Sequence, residues 1–133
     1  MRKLLGAAVL FAGVGAAQAT PPKQQSFGQQ KLDAIIKGRR QGGPLDCITL
    51  RLVRSVEIVD GIGIVFETND GVRYLNRPTT GADRLDSSFI VQTDTHSPDL
   101  CRVDVVKLID PGTHRLEGVV NLGQFIPYRK PLM

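Results

Sequence analysis

Residues 56–68, "VEIVDGIGIVFET", decide the fold class. Val56, Ile58, Ile62, Ile64 and Phe66 all fall on even positions, with Asp60-Gly61 between the two halves. A period of two marks a strand with one buried face, and Asp-Gly between two such runs is a hairpin signal. The pattern extends backwards: Ile48, Leu50 and Leu52 keep the same parity up to Arg54, while Thr49, Arg51 and Glu57 take the other. It extends forwards through the turn "TNDG" into "VRYLNR". Residues 46–77 therefore read as a three-stranded meander. "GIGIVF" contains a G-x-G, but neither a third glycine nor a helix follows, so it is no phosphate loop. Gly63 inside a strand points instead to a twist or a bulge.

Beyond the meander, "PTTGADRLDS" is a loop with room for a single helical turn, and residues 88–93 form a fourth strand. "DTHSPD" is a turn, residues 101–110 a β-branched fifth strand, "DPGTH" a turn, and "RLEGVVNLGQFIPY" carries a last strand. Upstream, "SFGQQKLDAIIKGRR" has Ser26 as N-cap, Leu32, Ile35 and Ile36 on one helical face, and Gly38 at the end. "QGGP" at 41–44 is a linker. The expected fold is mainly β: a small antiparallel barrel or sandwich of about six strands with one short N-terminal helix. The expected division is 1–19 export signal, 20–45 polar leader and amphipathic helix, and 46–133 β-domain.

The signal is read from "MRKLLGAAVLFAGVGAAQA". Arg2 and Lys3 precede a short uncharged apolar run that ends in Ala17-Gln18-Ala19, an A-x-A site with cleavage after Ala19. The run is too short to cross a bilayer, which takes roughly 20 residues as a helix. No later segment approaches that length, so the mature chain is expected in the periplasm or secreted, with no transmembrane segment. In that compartment Cys47 and Cys101, the two cysteines of the chain, are expected to form one disulfide. The loop it closes would stabilise the fold by about 4 kcal/mol in the chain-entropy model. There is no C-x-x-C for redox chemistry and no paired spacing for zinc.

Charge is unevenly spread. The whole chain carries +4, and two of those positives leave with the signal. Residues 23–40 hold five basic side chains against Asp33, and Arg129 and Lys130 add two more, whereas residues 41–126 hold eight basic and twelve acidic ones. Both ends are basic and the middle is acidic.

One stretch invites a chemical reading. In "TDTHSPDLC", Asp94, His96 and Asp99 supply residue types that ligate metals and move protons. Asp94, Ser97, Pro98 and Asp99 are equally the residues of a turn ahead of a strand. With one histidine in this turn and His114 alone in the next, the turn is the reading adopted, and neither a metal nor a cofactor is expected. No G-x-S-x-G is present. Arg51, Arg54 and Arg73 could form a basic stripe beside Tyr74 and Phe66, but Glu57, Glu67, Asp60 and Asp70 in the same segments favour cross-strand ion pairs.

The run 47–128 resembles a family of short secreted proteobacterial proteins known only as a domain of unknown function. The resemblance rests on "CITL", "VEIVDGIGIVFET" with "RYLNR", "LCRVDVV" and "LGQFIPY". Members of that family often carry two further cysteines, after the "RYLNR" segment and just before "LGQF"; here those places read "PTTGAD" and "VVN". The resemblance implies location and fold and brings no catalytic residues. The expected function is an exported, non-catalytic β-domain that binds an unidentified protein or cell-envelope component, nucleic acid being disfavoured. Two alternatives stand beside it: a metal-binding protein or hydrolase using Asp94, His96 and Asp99, and a barrel that binds anionic polymers or nucleic acid through its basic ends.

Overall fold

The Ser26 hydroxyl accepts the N–H of Gln29 at 3.1 Å and opens a helix, α1 (Phe27–Ile36). This is the N-cap that a polar residue provides to donors left over at a helix start. The computed structural model describes residues 26–132. The export signal at 1–19, its cleavage after Ala19 and the leader up to residue 25 lie outside the described residues. Leu32 and Ile35 of α1 are buried against Val59, Val65, Leu75 and Tyr128. A side chain at Gly28 would collide with the carbonyl oxygen of Asp60, so the first turn rests directly on the hairpin beneath it. At the other end Arg73 donates to the Ile35 carbonyl at 2.6 Å. That places a cation on one of the orphan acceptors at the negative end of the helix.

Ten strands follow: β1 (Arg40–Gln41), β2 (Cys47–Thr49), β3 (Val53–Val59), β4 (Gly63–Thr68), β5 (Arg73–Asn76), β6 (Ile90–Thr93), β7 (Asp99–Cys101), β8 (Val105–Ile109), β9 (Leu116–Asn121) and β10 (Phe125–Arg129). They make three antiparallel sheets: β1-β10-β5-β4-β3, β6-β8-β9 and the ribbon β2-β7. Helix α1 covers one face of the five-stranded sheet. The other face presents Ile58, Ile64, Phe66 and Phe125 to Ile48 and Leu100 of the ribbon and to Val106, Leu108, Val120 and Leu122 at the three-stranded sheet. Phe66 and Phe125 meet edge to face, their rings 5.7 Å apart.

The mainly β expectation holds, and the hairpin at Asp60-Gly61 is where the alternation put it. The strand count differs: the described residues form ten strands, not about six, in a sandwich-like stack that does not close into a barrel. One extra strand, β1, forms where a helix end and a linker were expected, because Arg40 and Gln41 pair with Arg129 and Tyr128; the other three arise because three runs read as continuous are bent. A single 3₁₀ turn at Leu50–Leu52 separates β2 from β3. The Asp104 carboxylate accepts the Cys101 N–H at 2.7 Å while the Asp104 N–H donates to the Cys101 carbonyl, which folds residues 101–104 into a turn between β7 and β8. Residues 122–124 break β9 from β10. Each bend moves the chain from one sheet to another, as corners between packed sheets require.

Two strand-borne arginines are paired as their acidic neighbours suggest: Glu67 meets Arg54 at 2.6 Å and Arg73 at 3.4 Å. Burial works to raise the Glu67 carboxyl, but hydrogen bonds and charge from Arg54 and Arg73 outweigh it and hold the group below the ordinary carboxylate range. Lys31 of α1 donates to the Ile58 carbonyl at 2.8 Å and lies 3.3 Å from Glu57. Exposed pairs of this kind contribute little, so Leu32 and Ile35 supply most of the docking energy. Trypsin is therefore expected to cut after Lys31 far more slowly in the native protein than in the urea-unfolded chain. Equal rates, read by mass spectrometry of timed digests, would mean that the helix is not held.

Candidate functional site

The ribbon β2-β7 is where the two cysteines meet. Cys47 and Cys101 are directly opposite in register, with Cα atoms 4.0 Å apart, and are joined as the predicted disulfide. The residues flanking the bridge are joined as well. The Arg102 N–H donates to the Asp46 carbonyl at 2.8 Å, and the Arg102 guanidinium lies 3.4 Å from the Asp46 carboxylate. The same carboxylate accepts the side-chain amide of Gln124 at 3.1 Å. Asp46 thus holds an arginine and a glutamine that lie far apart in sequence.

A second clamp stands opposite. Asn76, at the end of β5, is completely buried. Its amide nitrogen donates to the Gly123 carbonyl at 2.7 Å and its oxygen accepts the Gly123 N–H at 2.9 Å. A side chain at Gly123 would collide with the Arg77 carbonyl, so only glycine lets the 122–124 corner lie flat on the start of the 77–80 segment. That segment then runs beside β9: the Thr79 N–H donates to the Asn121 carbonyl, Thr80 and Asn121 form an isolated antiparallel bridge, and the Asn121 amide donates to the Thr80 hydroxyl at 2.5 Å. The segments "PTTGAD" and "VVN" are thus joined by hydrogen bonds.

Between the two clamps lies an open, shallow cleft of about 720 Å³. It is lined by Arg77, Thr79, Arg102, Val103, Asn121, Leu122, Gly123 and Gln124. Arg77 is exposed, and among the described residues no ion pair or hydrogen bond engages its guanidinium. Val103 stands at the rim, 81% exposed, on the tip of the turn that Asp104 closes. A smaller hollow of about 390 Å³ lies where the outer edges of β3 and β6 face each other, lined by Lys31, Val56, Phe89 and Ile90 among others. There the lysine already occupies an edge carbonyl of β3, the usual way to blunt an open edge.

The residues singled out in "TDTHSPDLC" lie elsewhere. Asp94 follows β6 and sits 3.5 Å from Lys107. His96 is exposed in the bend, and Asp99 begins β7. The bend is held by hydroxyls: Ser97 N–H to Thr95 and Asp99 N–H to Ser97, each at 3.2 Å. Among the described residues, no three of His, Cys, Asp and Glu are grouped so as to hold a metal. Replacing His96 with alanine is expected to change stability by less than roughly 0.5 kcal/mol, as at other exposed positions. It should also leave unchanged the metal content measured on purified protein by mass spectrometry. A stoichiometric metal lost with the substitution would overturn this.

The basic ends, by contrast, are brought together. Arg40 of β1 stands directly opposite Arg129 of β10, on the same face of the sheet. Arg39 is absorbed into the fold, donating to the carbonyls of Gly71 at 2.7 Å and Tyr128 at 3.4 Å. Burial, and then the charge of Arg73, push its pKa down from the usual arginine value. Arg77, Arg102, Asn121 and Gln124 carry no local pattern that marks them in the sequence; the acidic residues Asp46 and Asp104 stand near the two cysteines, one serving the clamp and the other the turn. No helix among the described residues is long and apolar enough to cross a membrane. Comparison of the chain with protein-family models, curated proteins and solved structures finds no match.

Proposed function

We propose that the chain is an exported, non-catalytic binding domain whose recognition surface is the cleft between Asp46 and Asn76. The observation that carries this reading is the way the cleft is built. Its lining sits on corners held by a disulfide and by a buried amide clamp, so the backbone that carries its polar side chains is in place before a ligand arrives. Preorganisation of this kind lowers the entropic cost of binding. The disulfide agrees with an oxidising compartment, as do the export signal and the resemblance to a secreted family. The partner class follows from the compartment: a component of the cell envelope.

The test has two parts. Fractionation of cells expressing the full chain, with the N-terminus read by mass spectrometry, should place protein beginning at Thr20 outside the cytoplasm. Titration of that isotope-labelled protein with solubilised envelope polymers of the same cells should shift amide resonances at 77–79, 102–103 and 121–124. Retention in the cytoplasm, or shifts confined to other surfaces, would sink the proposal.

A second reading is favoured by one observation, the pairing of Arg40 with Arg129. Like charges directly opposite on neighbouring strands are unfavourable, and an anion set between them would relieve the cost. Binding of an anionic polymer there would weaken steeply with salt and be lost on replacing Arg129 by alanine, with the cleft unaffected.

A further inference from the structure

The ligand class of the cleft can be read from which of its hydrogen-bonding groups remain open; this rests on the binding-domain reading above. Phosphate sites are commonly built from convergent backbone N–H groups. Here most of that supply is spent. The N–H groups of Thr79, Arg102, Asn121, Leu122 and Gly123 donate to Asn121, Asp46, Thr80, Asp104 and Asn76 respectively. What remains is carried by side chains. Arg77 offers a planar fork of N–H donors, whose geometry matches a carboxylate in two parallel hydrogen bonds; Arg102 turns its Nε toward Asp46 and has its terminal N–H donors to offer. The Gln124 amide is oriented by its bond to the Asp46 carboxylate, which can only accept, so its nitrogen is committed and its carbonyl oxygen is left as an acceptor. The Asn121 amide nitrogen donates to the Thr80 hydroxyl, which leaves its oxygen as an acceptor. Two guanidiniums for carboxylates and two amide oxygens for hydroxyl donors stand beside Val103, an exposed apolar contact at the rim.

We infer that the cleft binds an acidic glycan: a saccharide whose units carry carboxylates among free hydroxyls. The carboxylates meet Arg77 and Arg102, hydroxyls donate to Gln124 and Asn121, and an apolar face of a ring lies on Val103.

The experiment uses the disulfide-bonded protein lacking residues 1–19 and three probes: oligogalacturonate, polyphosphate of matched charge, and maltodextrin. Affinity is measured by calorimetry and location by amide chemical shifts. Oligogalacturonate should bind at 77–79, 102–103 and 121–124. Arg77→Ala and Arg102→Ala should each weaken it by about tenfold or more, the loss expected for one charge-assisted contact. Arg77→Lys, which keeps the charge but not the fork, should fall in between, and Arg129→Ala should bind as the parent does. Maltodextrin should not bind, and polyphosphate should shift resonances near Arg40 and Arg129 rather than in the cleft. Oligogalacturonate binding that ignores both cleft arginines overturns the inference, as does an absence of binding. Polyphosphate or maltodextrin seated in the cleft in its place would overturn the acidic-glycan assignment while leaving the binding-domain reading intact, because that reading fails only by its own fractionation and envelope titration.

Discussion

Exchanging both cysteines for serine, C47S/C101S, is expected to lower the free energy of unfolding by ~4 kcal/mol. The bridge joins cysteines 54 positions apart and closes a loop that runs from β2 to β7, and without it the unfolded chain regains the freedom of that whole segment. The native state is expected to lose less, since Ile48 and Leu100 are buried and paired in register beside the bridge. A domain of this size has a total stability of roughly 5–15 kcal/mol, so the loss is a large share of it. Urea denaturation of the oxidised parent and the double variant measures the difference. A change below about 1 kcal/mol would show that the ribbon holds itself without the staple, and that the chain-entropy estimate does not apply to it.

Asn76→Ala is expected to cost about 3 kcal/mol, nearly as much from a single side chain. Its amide satisfies both the N–H and the carbonyl of Gly123, and both backbone groups lie at a buried corner where water cannot replace it. Truncation leaves two unpaired groups and a small void. Aspartate is no rescue: it keeps the acceptor, discards the donor and places a charge where the native side chain has no exposure. Denaturation gives the energy. Hydrogen exchange at the Gly123 amide gives the location, and it should rise by more than that of the α1 amides. A loss under about 1 kcal/mol, or exchange raised uniformly, would mean that the corner is held by something other than this clamp.

How much of this was legible beforehand depended on whether the cause was local. The β3–β4 hairpin was, because Ile58, Ile64 and Phe66 repeat at the spacing of the structure they make and Asp60-Gly61 marks its turn. Helix α1 was, because Ser26 and the Leu32, Ile35 and Ile36 stripe are set by its own geometry. The disulfide followed from compartment and count. The corners were not legible. Asp104 interrupts a row of valines, which reads as a solvent-facing or ion-paired residue in one long strand; its actual partner is the Cys101 N–H, a choice made only once β8 must join a different sheet. Asn76 ends a strand with no pattern to distinguish it, since what it serves lies 47 residues downstream. The cleft was invisible for the same reason: it is assembled from three separated segments whose adjacency is a product of those corners. "TDTHSPDLC" drew the eye because its residue types are chemical, while their spacing was that of a turn.

The order of strands in the five-stranded sheet bears on when folding can finish. The last described strand, β10, is not added at an edge but inserted between the first, β1, and β5. Until residues 125–129 arrive, β5 has a bare edge, Phe66 lacks its ring partner, and Tyr128 is missing from beneath the helix. Contacts this distant in sequence are slow to form, since the closure entropy of the intervening chain comes before any reward. A nascent chain would therefore remain uncommitted through most of its synthesis, with β1 waiting for a strand translated nearly ninety residues later. If the chain is exported unfolded, as proposed above, that delay is an advantage written into the topology itself.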